Sequence, residues 1–273
     1  MPPKIVNFML NAGIGNRDRK CMIEVIGLTK SYSRHWTPAV SDLSLTVGKG
    51  EIVGFVGLNG AGKTTTIKTG AGVLLPSSGT VVIDGRDIVR EKKEASALLG
   101  WVPEYPVFEP GARALQLLQY YSGSVPAASK TASECRELLA GVGLADYERN
   151  KLRSYSQGMR KRFALAVALV NSPQNFLLDE ALNGLDPEGI HYLRELAATL
   201  RKDGASVLLS SHILSEVQAL SDRIAFIHKG KLIRILRPEE LRTMNPSVRV
   251  RIPGINAVRA GLPGGYLHGI CSE

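Results

Sequence analysis

The sequence predicts an α/β fold with an inserted helical segment, and three observations predict it. From residue 22 to about 241, short runs rich in branched apolar residues alternate with helical patterns. A glycine-rich loop follows one of those runs and opens a helix, the strand–loop–helix order that phosphate binding requires. Between about 105 and 155 two helical patterns follow one another with no strand between them, so this stretch reads as an insertion.

Residues 1–21 have no clean period and hold the turn formers Asn11, Gly13, Gly15 and Asn16. They read as an extension or disordered tail, with Met22 as the natural start. MIEVIGLTKSY reads as the first strand, followed by SLTV (44–47), EIVGFVG (51–57) and TVVID (80–84). The insertion supplies helical patterns at about 112–122 and 130–141; the helix FALAVALV and the strand FLLD (176–179) come next. Asp186-Pro187 then pairs an N-cap residue with a proline suited to the first turn. Ile190, Leu193, Leu196, Ala197 and Leu200 keep helical spacing, and Gly204 stands where a C-cap glycine belongs. SVLLSS (206–211), a short helix and the hairpin-like DRIAFIHKGKLIRIL complete the body. In the tail, 242–273, Val248, Val250 and Ile252 alternate with Arg249 and Arg251 as a short strand would. Five glycines from Gly254 to Gly269 mark the rest as loop.

A chain of 273 residues with 44% hydrophobic and 22% charged residues can bury a substantial core. Its 34 basic and 25 acidic residues leave a charge of +9, which favours anionic partners without choosing between phosphate ligands, lipid and nucleic acid. Cys21, Cys135 and Cys271 are far apart, without metal-binding spacing, and fit a reduced cytoplasmic protein. The longest apolar run, Phe163 to Val170, is eight residues, far short of a membrane span.

The chemistry starts at GLNGAGKT (57–64), which fits G-x-x-x-x-G-K-[ST]. Glycines let successive backbone N–H groups converge on phosphate oxygens, and the following helix adds its positive end. The loop residues Gly57, Asn59, Gly60, Ala61 and Gly62 are therefore expected to cradle a nucleotide. Lys63 would reach the β and γ phosphates, Thr64 would ligate Mg²⁺, and Thr65 would reach the α-phosphate. FLLDE places Asp179 at a buried strand's end, aimed at the metal's hydration shell, with Glu180 beside it to orient or deprotonate water. His212, ending SVLLSSH, would face the same crevice and hold the γ-phosphate and Glu180. YSQGMRKR (155–162) is a second helix start shaped to hold an anion, which raises the question of whose phosphate it serves. From Arg149 to Arg162 six cations occur without an acid, which reads as a solvated face or one turned to lipid head groups.

In order, GLNGAGKTT, GWVPEYP, YSQGM, FLLDEALNGLDP and SSHILSEV resemble the ATP-binding subunit of ABC transporters across roughly residues 22 to 241. The resemblance implies a P-loop NTPase core with a mixed sheet, an antiparallel β subdomain and the helical subdomain inserted at 105–155. It implies ATP and Mg²⁺ as cofactors, and Tyr32 of LTKSY against the adenine, with Trp36 as competitor. YSQGM corresponds to the family's signature, which implies that Ser156, Gln157 and Gly158 bind the γ-phosphate held by another subunit. A homodimer or heterodimer of ATPase subunits is therefore implied, since the chain holds one phosphate loop. Asp186 resembles the family's subunit-contact loop.

Three departures from the family pattern stand out. Gln157 replaces a glycine, Ala181 replaces a proline, and Glu104, expected at the metal with Thr64 and Asp179, replaces a glutamine, adding negative charge there. Glu104 and the YS-x-GM-x-x-R pattern are similar to the exporter-type group that moves drugs, antibiotics or sodium. The expectation is an ATP-hydrolysing motor on the cytoplasmic face of the cell membrane, working with separately encoded transmembrane permease subunits. No nucleic acid is expected. The alternatives are a soluble ABC ATPase acting on nucleic acid or ribosomes, and an importer motor. A catalytically inactive regulatory subunit conflicts with intact Lys63, Asp179, Glu180 and His212.

Overall fold

A computed structural model of the chain describes residues 22–33, 37–125 and 129–243, with the dipeptides 261–262 and 265–266. The expected extension 1–21, Trp36 and the expected strand at 248–252 lie outside the described residues. The chain divides into two compact units, Met1–Leu236 and Arg237–Glu273.

Two sheets build the first unit. β1 (Ile23–Lys30), β2 (Val40–Val47), β4 (Ser78–Ile83) and β5 (Arg86–Asp87) form an antiparallel sheet in the order β2-β1-β4-β5. β3 (Ile52–Val56), β6 (Leu99–Val102), β7 (Asn175–Leu178), β8 (Ser206–Ser211), β9 (Arg223–His228) and β10 (Lys231–Leu236) form the second, ordered β10-β9-β3-β8-β7-β6. It is parallel except at the β9–β10 hairpin, so the mixed and antiparallel sheets implied by the resemblance are both present. Every residue of β3, β7 and β8 is buried, which is why those strands show no apolar–polar alternation and have apolar centres.

The helix after the phosphate loop, α1 (Lys63–Gly70), sends Ile67 into an apolar cluster shared by both sheets. The stretch 105–155 contributes α3 (Ala114–Ser122) and α4 (Ala132–Gly141), the latter opened by a capping box between Thr131 and Glu134. Together with α5 (Gln157–Leu169) and α6 (Pro187–Lys202) they pack on β6–β8 in a second cluster. α6 starts as expected, with the Asp186 carboxylate accepting from the Gly189 N–H at 3.0 Å and proline at its first turn. Among the strands and α-helices of the first unit, three escaped the sequence reading: β5, the short helix α2 (Lys92–Ala97) and the edge strand β6.

β3 lies so close to α7 (Leu214–Leu220) that a Cβ on Gly54 would stand 1.9 Å from Val217 Cγ1 and 2.7 Å from Ser221 Oγ. Gly54→Ala is expected to destabilise the fold by about 1–3 kcal/mol, the usual cost of overpacking a core. Thermal melting monitored by circular dichroism reads it; an unchanged midpoint would contradict the close packing. In the second unit the described elements are α8 (Pro238–Thr243) and a short pairing of β11 (Gly261–Leu262) with β12 (Gly265–Tyr266).

Candidate active site

Four neighbouring parallel strands end on one edge of the large sheet, and each leads into a candidate residue. β3 runs into the loop at Gly57, β8 into His212, β7 into Asp179 and Glu180, and β6 into Glu104. Such carboxyl ends form the crevice in which open α/β sheets bind ligands.

The loop's backbone is built for close approach. Gly62 caps α1 with φ 109°, a left-handed conformation, and a Cβ there would meet the Ala39 carbonyl oxygen at 2.5 Å. Residues 59 to 65 of the loop and first turn line a cavity of about 330 Å³, closed by Ala39, Glu104 and Glu180. Lys63 is 5% exposed, and its ammonium donates to the Gly57 carbonyl at 2.7 Å and pairs with Glu180 Oε1 at 3.2 Å. Gly57 thus shapes the loop's floor. Tyr32 is largely exposed at the rim, its hydroxyl 3.3 Å from Thr65 Oγ1 and the Lys30 ammonium 5.4 Å over its ring.

The carboxylates sit deeper. Ser210 Oγ and Thr64 Oγ1 both donate to Asp179 Oδ1, at 2.8 and 3.2 Å. Burial pushes the Asp179 carboxyl above its ordinary range, against the pull of those two hydrogen bonds. Glu180 is a non-glycine residue at φ 46°, and both carboxylate oxygens are held. Besides Lys63 on Oε1, Oε2 accepts from Asn183 Nδ2 at 3.0 Å and lies 2.9 Å from His212 Nδ1. Its backbone N–H donates to Ser210 Oγ at 2.9 Å. A residue held away from relaxed geometry by this many partners is a mark of functional sites.

The second helix start stands apart from this cluster. Ser156 caps α5, accepting from the Met159 N–H at 3.2 Å. Gln157 lies against Gly184, where a Cβ would come within 3.3 Å of its carboxamide, and a Cβ on Gly158 would meet the Gly184 carbonyl oxygen at 3.2 Å. Ser156, Gln157 and Gly158 are not among the walls of the phosphate-loop cavity.

The run of six cations is not one solvated or lipid-facing surface. Lys161 is 1% exposed and donates to the carbonyl oxygens of Pro103, Glu104 and Glu180 at 3.3, 2.6 and 3.0 Å. Burial lowers its pKa to about 8, opposed by the charges of Glu104, Asp179 and Glu180. Arg162 forms an ion pair with Asp186, whose carboxyl is held below its ordinary range by that bond and by the Gly189 N–H. Sequence reasoning missed Lys161, Asn183 and Ser210. For Lys161 the available signal was helical phase, since Ala164, Leu165, Ala168 and Leu169 lie three, four, seven and eight residues on and are all buried.

Residues 40–183, more than half of the chain, match the family described as ABC transporter. The bacitracin transport ATP-binding protein BcrA of Bacillus licheniformis is 36% identical over 82% of this chain and 72% of its own length. The chain belongs to the ABC transporter ATP-binding family. Another ABC relative, the lantibiotic transport ATP-binding protein SrtF of Streptococcus pyogenes, is 33% identical over 78% of this chain and 89% of its own length. A solved ATP-binding subunit of an ABC transporter superposes with a TM-score of 0.74 at 27% identity, covering 81% of this chain and 92% of that one. As an ABC ATPase the chain binds and hydrolyses ATP, and subunits of this family work with transmembrane permease partners. Among the described residues no helix is long and apolar enough to cross a membrane.

Proposed function

We propose that this chain is the ATP-hydrolysing motor of a membrane exporter, acting at the cytoplasmic face of the cell membrane beside separately encoded permease subunits. Likeness to the ATP-binding proteins of bacitracin and lantibiotic transport supports export over import or a nucleic-acid role. In this reading two ATPase subunits close head to tail over ATP. Lys63 and the loop amides hold the phosphates, Thr65 assists at the α-phosphate, and Tyr32 offers its exposed ring to the adenine. Glu180, oriented by His212 and Asn183, takes the proton of the attacking water. Ser156 and the Gly158 amide of one subunit complete the donors around the γ-phosphate of the other. The carrying observation is their position: a serine-capped helix start, of the kind that suits an anion, outside the cavity of its own phosphate loop.

Mg²⁺ fits the residues present. Asp179 Oδ2 is buried without a hydrogen-bond partner in the structure, and the Thr64 hydroxyl lies 3.2 Å from the same carboxylate's other oxygen. A hard cation seeks such a pair of oxygens together with phosphate oxygens. Thr64 and Asp179 would hold it, with Glu104 adding negative charge from the cavity wall. It would neutralise charge on the phosphates.

If the site is shared, turnover per chain must depend on chain concentration. ATPase activity is expected to fall on dilution, and Ser156→Ala is expected to lower turnover ~10-fold or more, as loss of a transition-state hydrogen-bond donor does. Constant turnover per chain from a monomer, with Ser156→Ala as active as the wild type, would overturn the shared site. Copurification of a polytopic membrane chain from native membranes tests the transporter half of the reading.

A further inference from the structure

The buried ammonium of Lys161 has no role in the reaction as described, although it lies at the junction of three functional segments. It projects from the first turns of α5, whose start carries Ser156 and Gly158. Its three protons match three carbonyl oxygens: Pro103 and Glu104 on the segment leaving β6, and Glu180 after β7. Lys161 is 1% exposed and its bond to the Glu180 carbonyl is buried, so that oxygen would lose its donor inside the protein without it; the bonds to Pro103 and Glu104 are part-buried.

The Glu180 bond has a mechanical consequence. A glutamate at φ 46° needs its surroundings to hold it there. Ser210 pins the Glu180 N–H from one side, and Lys161 pins its carbonyl from the other. The peptide units flanking this residue are thereby fixed, and with them the direction in which its carboxylate leaves the backbone. The same ammonium holds the backbone of Glu104, which also lines the cavity.

We propose that Lys161 is a positioning residue for ATP hydrolysis, a strut that locks the backbones of Glu180 and Glu104 to the helix bearing Ser156 and Gly158. This rests on the reading above, in which Glu180 serves the chain's own ATP and Ser156 serves the partner's. The strut then ties the two roles together: a shift of α5 against a neighbouring γ-phosphate is transmitted to the carboxylate that activates water in the chain's own site.

The test uses the full-length chain and compares Lys161→Met, which fills the space without a donor, with Lys161→Gln, which keeps two donor protons. Lys161→Met is expected to lower kcat by ~10- to 100-fold, the scale on which a displaced catalytic group costs rate. Nucleotide affinity, titrated directly with a fluorescent ATP analogue, is expected to stay within ~3-fold, because the interaction lost serves the reaction and not the ground state. Lys161→Gln should fall between wild type and Met, and it keeps the comparison decisive should the Met protein fail to fold. In a Glu180→Gln background, either Lys161 substitution should change the residual turnover by less than ~2-fold, since residues acting as a unit are not additive.

The proposal is overturned by wild-type kcat in the Lys161 variants, by losses in affinity matching those in kcat, by Gln doing no better than Met, or by full additivity with Glu180→Gln. If Glu180→Gln itself turns over normally, the base assignment fails, which separates failure of the underlying reading from failure of the strut.

Discussion

Lys63→Ala is expected to abolish ATP binding while leaving the fold in place. The ammonium is 5% exposed at the floor of the loop, and its bonds to the Gly57 carbonyl and to Glu180 fix it there. A triphosphate brings a dense negative charge against loop amides that carry only partial positive charge, so Lys63, the one full cation among the described residues lining the cavity, dominates the balance. Charge-assisted hydrogen bonds contribute about 1.5–3 kcal/mol each, and losing two of them lowers affinity ~10²-fold or beyond. The substitution also removes one of the partners of the buried Glu180 carboxylate, but His212 and Asn183 remain on its other oxygen. The fold should survive, because Ile67 and the rest of α1 keep their packing in the core. Equilibrium titration with a fluorescent nucleotide measures the first effect. Thermal melting with and without ATP measures the second, and the melting shift caused by ATP should disappear, since only binding to the folded form produces it. Wild-type affinity in this variant would overturn the phosphate-loop assignment.

What the sequence made legible follows from how local each signal is. The loop and Lys63 to Thr65 fall within a single strand–turn–helix, so contiguous residues report a complete cradle. Asp179, Glu180 and His212 were legible one step less directly, as polar residues ending strands with apolar centres, FLL and VLL. Their meeting, with His212 2.9 Å from Glu180, depends on β8 lying beside β7, which local pattern alone does not report. The strand β6 was missed because LGWV is four residues long, pairs on one side only, and shows no clear alternation. Lys161 was hidden by its company. Between Arg160 and Arg162 it looks like one more surface cation, and its burial depends on three carbonyls, the farthest in sequence 58 residues away. Ser210 likewise passed as part of an ordinary strand, although a buried hydroxyl that both donates to Asp179 and accepts from the Glu180 N–H is central to the site's geometry.

Glu180→Gln separates binding from chemistry more sharply than any other single change. Glutamine has nearly the volume of glutamate and the same backbone needs, so the Ser210 and Lys161 bonds that fix residue 180 should persist. Its carboxamide oxygen can still accept from Asn183. What disappears is the negative charge and the ability to take a proton. ATP affinity should therefore be retained or rise, because a carboxylate beside the Lys63 ammonium no longer competes with phosphate for it. Turnover should fall by ~10²–10⁴-fold, the contribution of a positioned general base. If ATP bridges two subunits and hydrolysis releases them, the variant must accumulate as an ATP-bound dimer. Gel filtration with ATP and Mg²⁺ should show a doubled mass for Glu180→Gln and not for Lys63→Ala, since the latter has no nucleotide to bridge the subunits. Hydrolysis at the wild-type rate would remove Glu180 from the mechanism. Slow hydrolysis by a persistent monomer would keep Glu180 as the base and remove the dimer from the account, so the two claims stand or fall on separate readings of one sample.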